Sequence, residues 1–308
     1  MYDYSMTWLL FALLAPFLFA LTNQIDKILL GRYFTHVKAT TLLFYTVIVS
    51  VLIAIGIVSF KPSVLAVPLL DGGLMFAAGV IFYFAITPFI KALSIEEASR
   101  VIPLFQIQPV LAYIFGFVFF SETLSVSQAL AGVIIVAGSL LINLDLDNRR
   151  RFKVTVFGLV ALSCLFYMLE SATFKFVGGS YGFWDASFYQ YLGTAVAGIC
   201  VFMVSRGYRA DFVKVSKEGG IKLLAGASLS AMLSMGGRMA FNYSLLLAPL
   251  VMVQLVQGTQ AIFVLVIGTL LAMFIPKHGK ENISRKHMVQ KIVSIVIVLA
   301  GTTLLLLG

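Results

Sequence analysis

Two charged side chains inside long apolar segments of this chain could do chemistry there. Glu170 lies in the segment 154–177 and Arg238 in the segment 221–246. A charge at the centre of a lipid bilayer costs at least about 2.5–3.5 kcal/mol on insertion scales, so each of them needs a partner or a function. Glu170 is either a protonatable carboxylate and candidate coupling residue facing a cavity, or one half of a salt bridge to Lys175 or Arg238. The planar fork of Arg238 either binds a carboxylate or phosphate of a substrate, or pairs with Glu170 or with backbone carbonyls.

Side-chain amides recur in two further segments. Gln254, Gln257 and Gln260 follow one another every three residues, so in a helix they share one face. Amides donate and accept hydrogen bonds, as a site for a polar metabolite requires, although a single buried Gln more often joins two helices. As a set, the amides favour a polar cavity. The candidate substrate-binding residues are Gln106, Gln108, Gln254, Gln257, Arg238, Asn242 and Tyr83.

The composition indicates that these residues lie in a membrane. Of the 308 residues, 60% are hydrophobic and 11% are charged, whereas soluble domains have about 45–50% and about 25%. This excludes a soluble globular protein, a disordered chain and a nucleic-acid-binding domain. The net charge of +9 does not change that, because Lys and Arg lie mostly between the apolar segments. We expect an integral protein of the cell (plasma or inner) membrane.

Ten segments are long and apolar enough to cross a bilayer as helices, which takes about 20 residues each. They predict an all-α integral membrane protein, and they leave no loop long enough to fold into a soluble domain. The segments are 7–30, 39–60, 69–93, 98–120, 126–144, 154–177, 184–206, 221–246, 249–276 and 288–307.

Basic residues are distributed unevenly between the two sides of these ten spans. Leaving out Arg238, 19 of the 22 Lys and Arg residues fall on one side, and only Lys61 and Lys175 fall on the other. Cytoplasmic loops carry an excess of Lys and Arg. The charges therefore predict that both termini lie outside the cytoplasm.

The two halves of the chain carry short motifs in the same order. Residues 92–120 align without gaps on residues 244–272. Because each half has five spans, an odd number, the second half must be inverted in the membrane, as in many secondary transporters. We therefore expect a first five-helix repeat at 1–144, a basic connecting loop at 145–153 and a second five-helix repeat at 154–308. The repeated motifs are Gln108 and Gln260, Gly116 and Gly268, residues 122–125 and 281–284, and Gly138 and Gly301.

One of these segments resembles a known family signature. It reads Val101-Ile-Pro-Leu-Phe-Gln-Ile-Gln-Pro109 and is followed by Gly116, Ser121-Glu122-Thr-Leu-Ser and Gly138. It is similar to the signature of the EamA family, which belongs to the drug/metabolite transporter superfamily. The resemblance covers both halves and implies a ten-helix transporter. It also implies cytoplasmic termini, the reverse of what the loop charges predict.

The leading functional interpretation is a secondary active transporter, an exporter or permease for a small polar metabolite such as an amino acid or a related solute. It would alternate access around a midplane cavity, driven by a proton or substrate gradient. The alternative is a non-transporting membrane protein, either a lipid-acting enzyme or a signalling or assembly component. We expect no enzymatic activity, cofactor or metal, because no nucleophile elbow, Walker loop or metal-ligand spacing occurs. The expected partners are a small-molecule substrate and the lipid bilayer, with no nucleic acid, and the chain acts as a monomer or homodimer.

Overall fold

The computed structural model describes residues 4–33, 43–95, 101–143, 154–274 and 285–307, and these residues form helices joined by short connections. The first half contains α1 (Tyr4–Tyr33), α2 (Leu43–Phe60), α3 (Leu69–Ile95), α4 (Gln108–Phe120) and α5 (Val126–Asn143). The second half contains α6 (Val154–Tyr181), α7 (Phe183–Val204), α8 (Arg206–Leu247), α9 (Leu250–Val256), α10 (Gln260–Phe274) and α11 (Arg285–Leu307). The expected basic loop at 145–153 and the repeated motif at 281–284 lie outside the described residues.

Six helical segments of the described chain are long and apolar enough to cross a membrane. Three shorter apolar helices accompany them: Leu104–Phe120, Val126–Leu141 and Ile292–Leu305. The long helix α8 is not among the six, because its first half is rich in charged residues and its second half carries Arg238. The six segments are Thr7–Leu29, Leu43–Phe60, Leu69–Phe89, Val154–Tyr181, Phe183–Val204 and Leu250–Gly268.

Short 3₁₀ turns interrupt the helices at matching places in the two halves. One covers Ile102–Ile107 and ends where α4 begins, and another covers Gln257–Thr259 and ends where α10 begins. Pro109 lies in the first turn of α4, where its missing N–H leaves no helical hydrogen bond unmade. Pro16 instead lies inside α1, which continues through it.

The segment 207–220, expected to be a basic loop between two spans, is helical, and this corrects the prediction from sequence. It forms the first part of α8, up to Gly220, whose φ of 57° and ψ of −154° break the helix geometry. Aromatic packing holds this segment against α2 and α7. The rings of Phe212 and Phe44 have centroids 4.7 Å apart, and Tyr45 shares a hydrogen bond of 3.2 Å with Ser216.

The helices of the two halves pack against each other throughout the molecule. α1 lies along α8, α3 along α6 and α7, α2 along α7, and α5 along α11. Two glycines allow the last pair to approach closely, since a Cβ on Gly138 would lie 2.8 Å from Val298 Cγ2, and one on Gly301 would lie 2.8 Å from Ile135 Cγ1. Small residues at such crossings are typical of membrane helices. Many large apolar side chains remain on the outer surface, as lipid contact requires.

Candidate functional site

A cavity of about 290 Å³ lies at the centre of the bundle, lined by residues of both halves. Its walls come from α1, α3, α4, α6 and α8, and from the segment that runs through α9 into α10. Its polar lining consists of Gln108, Ser171, Ser234, Arg238, Gln254, Gln257 and Gln260. Its apolar and aromatic lining consists of Phe19, Phe82, Ile86, Tyr167, Met168, Met235 and Phe241.

Amides form one wall of the cavity. Gln254 Nε2 donates a hydrogen bond of 2.7 Å to Gln108 Oε1, and Gln257 Nε2 donates one of 3.3 Å to the carbonyl oxygen of Ala12. The 3₁₀ turns described above end directly before Gln108 and Gln260, the two residues that the sequence alignment pairs. The wall therefore joins both halves of the chain through side chains that can donate and accept hydrogen bonds.

The cavity lining also includes Arg238 of α8, which forms an ion pair with Glu170 of α6. Glu170 is fully buried, and it also accepts hydrogen bonds from Gln190 Nε2 and, at 3.4 Å, from Ser171 Oγ. Asn242 Nδ2 extends the network with a hydrogen bond of 2.7 Å to Gln190 Oε1. Helices α6, α7 and α8 are thus joined by one buried polar chain that ends at the cavity.

The guanidinium of Arg238 is only partly satisfied. Its central carbon lies 4.5 Å from the ring centroid of Phe82 and 5.5 Å from that of Phe241, within the range of cation–π contacts. Its Nε is buried without a hydrogen-bond partner among the described residues, and so is Asn242 Oδ1. Buried polar atoms are normally paired, so the free Nε of a cavity-lining arginine is a candidate contact for a ligand.

Some residues proposed from the sequence lie outside the cavity lining. Tyr83 is buried in an apolar cluster with Val47 and Ala197, because it is rotated by about 100° around α3 from the lining residue Phe82. Gln106 is half-buried in the 3₁₀ turn before α4, and Asn242 faces Gln190 instead of the cavity.

The aromatic residues of the lining were not identified from the sequence. Tyr167 lies one turn before Glu170, and Phe241 lies one turn after Arg238. That spacing places each of them on the same helix face as the charged residue. Tyr167 and Phe241 could therefore have been predicted from their positions relative to the two charged residues. The sequence around Phe19 of α1 and Phe82 of α3 contains no comparable indication.

Lys175, the other proposed partner of Glu170, is engaged elsewhere. Its Nζ lies 2.7 Å from Glu122 Oε1 and donates hydrogen bonds of 3.0 and 2.6 Å to the carbonyl oxygens of Leu245 and Ala248. Glu122 Oε2 accepts a hydrogen bond of 2.8 Å from the backbone N–H of Leu250. A lysine thus caps the C-terminus of α8 and a carboxylate caps the N-terminus of α9, as helix dipoles favour.

A bundle of apolar helices around a central cavity with polar residues in its lining is typical of a multi-pass membrane protein. Comparison with known proteins agrees. The model of the EamA-like transporter family matches residues 6–144. The first half of the chain therefore matches the EamA-like transporter family, which confirms the resemblance seen in the sequence over these residues.

The fold also has relatives among solved structures. One crystal structure, described only as that of a protein, matches with a TM-score of 0.71 over 98% of this chain and 96% of that chain. The two sequences are 11% identical, so this likeness shows the fold alone. A search of curated proteins finds no match.

Proposed function

We propose that this protein is a secondary active transporter of the cell membrane for a small polar metabolite, such as an amino acid or a related solute. The observation that carries the proposal is the central cavity, which both halves line with hydrogen-bonding side chains. Its volume of about 290 Å³ lies at the lower end of ligand pockets, which span roughly 300–1,000 Å³. A metabolite of a few carbon atoms with polar groups fits this description.

We also propose that the chain forms ten spans in two inverted five-helix repeats. Three features support this. The 3₁₀ turns precede Gln108 and Gln260 alike, and Gly138 and Gly301 each face the other's helix. The helix contacts are also reciprocal, because the first helix of one half packs on the third of the other in both directions, as α1 on α8 and α6 on α3. In such repeats, one half can rock against the other around a fixed site.

Glu170 is the proposed coupling residue. It is fully buried, and its charge is balanced by Arg238, which also lines the cavity. When a substrate anion engages Arg238, Glu170 loses part of that balance and can take up a proton. Release of the substrate restores the ion pair and returns the proton. One residue pair can in this way link the substrate to a proton gradient.

Flux measurements in proteoliposomes test this proposal. Pooled radiolabelled metabolites are offered with and without a pH gradient, and we expect at least one to accumulate only with the gradient. Glu170→Gln is expected to abolish accumulation and leave substrate-for-substrate exchange measurable. The control Glu218→Gln, at an exposed carboxylate of α8, should behave as the wild type.

The outcomes separate the parts of the proposal. No flux above that of empty liposomes for any metabolite would argue against transport. Continued gradient-driven accumulation by Glu170→Gln would leave transport intact and remove Glu170 from the coupling step.

A further inference from the structure

The charge in the cavity lining is positive only. Arg238 is the one charged residue among the described residues that line the cavity; the remainder are amides, hydroxyls, aromatic rings and aliphatic or thioether side chains. Glu170 lies behind Arg238 and is not part of the lining; its exposed fraction is 0%. A ligand in the cavity therefore meets a cation and no carboxylate.

The guanidinium of Arg238 has a donor left for an anion. Glu170 contacts Nη2, while Nε has no hydrogen-bond partner among the residues that the structure describes. Because Nε and Nη2 form one fork of the planar guanidinium, a ligand carboxylate at Nε would share that fork with Glu170. The side chain of Arg238 is 10% exposed, so an anion at this edge would be held largely away from water. Charge-assisted hydrogen bonds of this kind are roughly twice as strong as neutral ones.

Aromatic and thioether side chains make up much of the lining around Arg238. Phe82 and Phe241 flank the guanidinium, and Phe19, Met168 and Met235 also line the cavity. Aromatic and thioether side chains pack well against planar apolar groups. The body of the ligand next to its anionic group is thus expected to be apolar, and the amides of the lining can bind an uncharged polar group of the ligand.

An ammonium group finds no counter-charge in this cavity. Its contacts would be amide oxygens and ring faces, and a buried charge without an opposite charge is strongly disfavoured. Glu170 could supply one only by leaving Arg238, Gln190 and Ser171. A zwitterion is therefore poorer in this site than the same molecule without its amino group.

We infer that the substrate is a small organic monoanion, a carboxylate with an apolar or aromatic body, and that zwitterionic amino acids are disfavoured. This rests on the proposed transport function and narrows its substrate class to anions, so that related solutes without an amino group take the place of the amino acids given there as an example. The anion binds at the Nε edge of Arg238, with its body against Phe82 and Phe241.

Three ligands with one body and different charges test the inference. Binding of phenylpropionate, phenylalanine and phenylethylamine to the purified protein in detergent is measured by calorimetry. We expect phenylpropionate to bind at least tenfold more tightly than either of the others. Arg238→Gln should remove this preference. Gln260→Glu places a carboxylate in the lining and should shift the ratio of affinities at least tenfold towards phenylalanine. This second variant keeps the test informative if Arg238→Gln does not fold.

Each outcome decides one point. Three results would overturn the proposed substrate class. They are equal or tighter binding of phenylalanine, an unchanged ratio of the two affinities in both variants, and no binding of phenylpropionate. Counterflow of the same three compounds in proteoliposomes separates failure of the substrate class from failure of the proposed function. Exchange of phenylalanine alone would show a transporter with a different substrate. The flux screen with pooled metabolites decides whether the protein transports anything at all.

Discussion

The ion pair between Glu170 and Arg238 can be measured by a double-mutant cycle. Glu170→Gln and Arg238→Met are made separately and together. The coupling free energy is the difference between the destabilisation of the double variant and the sum of the two single destabilisations. Each single change leaves a buried group without its partner. The double change leaves neither charge, so we expect the double variant to be clearly more stable than the sum of the single effects predicts.

The size of this coupling follows from the surroundings of the pair. Two unit charges about 4 Å apart attract by about 4 kcal/mol at an effective dielectric constant of about 20. The cation–π contacts of Arg238 cancel in the cycle, because Glu170→Gln leaves them in place and both variants without Arg238 lose them. We therefore expect a coupling of about 4 kcal/mol. Hydrogen bonds between membrane helices reach at most about 1.7 kcal/mol, so the values can be told apart.

Reversible unfolding in mixed micelles with increasing dodecyl sulfate measures this coupling, with the fluorescence of the buried Trp8 as one signal. The matched control is the ion pair between Lys61 and Asp185, in which the lysine side chain is 35% exposed and the aspartate 8% exposed. Water at the lysine weakens the attraction, so the cycle of Lys61→Met with Asp185→Asn should give a clearly smaller coupling. Equal coupling in the two cycles would refute the assignment of a desolvated charge pair at the cavity.

Three further predictions concern the scaffold. Lys175→Met removes one ion pair and two hydrogen bonds to carbonyls at the C-terminal end of α8, so we expect a loss of about 2–4 kcal/mol in the same unfolding assay. Lys27→Met, at an exposed lysine, should change stability by less than about 0.5 kcal/mol, and equal effects of the two changes would contradict the capping role. Gly138→Ala should destabilise the protein by about 1–3 kcal/mol, because the added Cβ meets Val298. Gly56→Ala should be neutral or stabilising, because no atom lies within 4 Å of the added Cβ. A larger loss for Gly56→Ala would contradict the close crossing of α5 and α11. A reporter that fluoresces only in the cytoplasm, fused after Gly308, should stay dark because of the basic loops, and a bright cell would support cytoplasmic termini.

Part of the cavity could be predicted because it depends on local geometry. Gln254, Gln257 and Gln260 all line the cavity, and their spacing of three residues already placed them on one face. The pairing of Gln108 with Gln260 also followed from an alignment of the chain with itself. By contrast, Tyr83 and Phe82 are neighbouring aromatic residues, and the rotation of α3 against the helices around it decides which of them faces the cavity.

The first part of α8 shows a second limit of local patterns. Its charged residues resemble those of the other basic loops, but Tyr208, Phe212 and Val215 lie on one side of a helix that packs on α2 and α7. That helix is stable because the aromatic residues Phe44 and Phe202 are nearby. Phe44 is far from residue 212 in the sequence, so no local window around that residue contained all of this packing.

The amino-acid sequence by itself determined the membrane class, the positions of most helices and the polar face of the segment 249–276, because burial in lipid and helical periodicity act on neighbouring residues. The tertiary structure decided which charges meet. Glu170 could pair with Lys175 or Arg238 as judged from sequence, and it pairs with Arg238 while Lys175 binds Glu122. The choice depends on how α6 and α8 are rotated and how closely they approach, which is set by packing over the whole bundle and not by either helix alone.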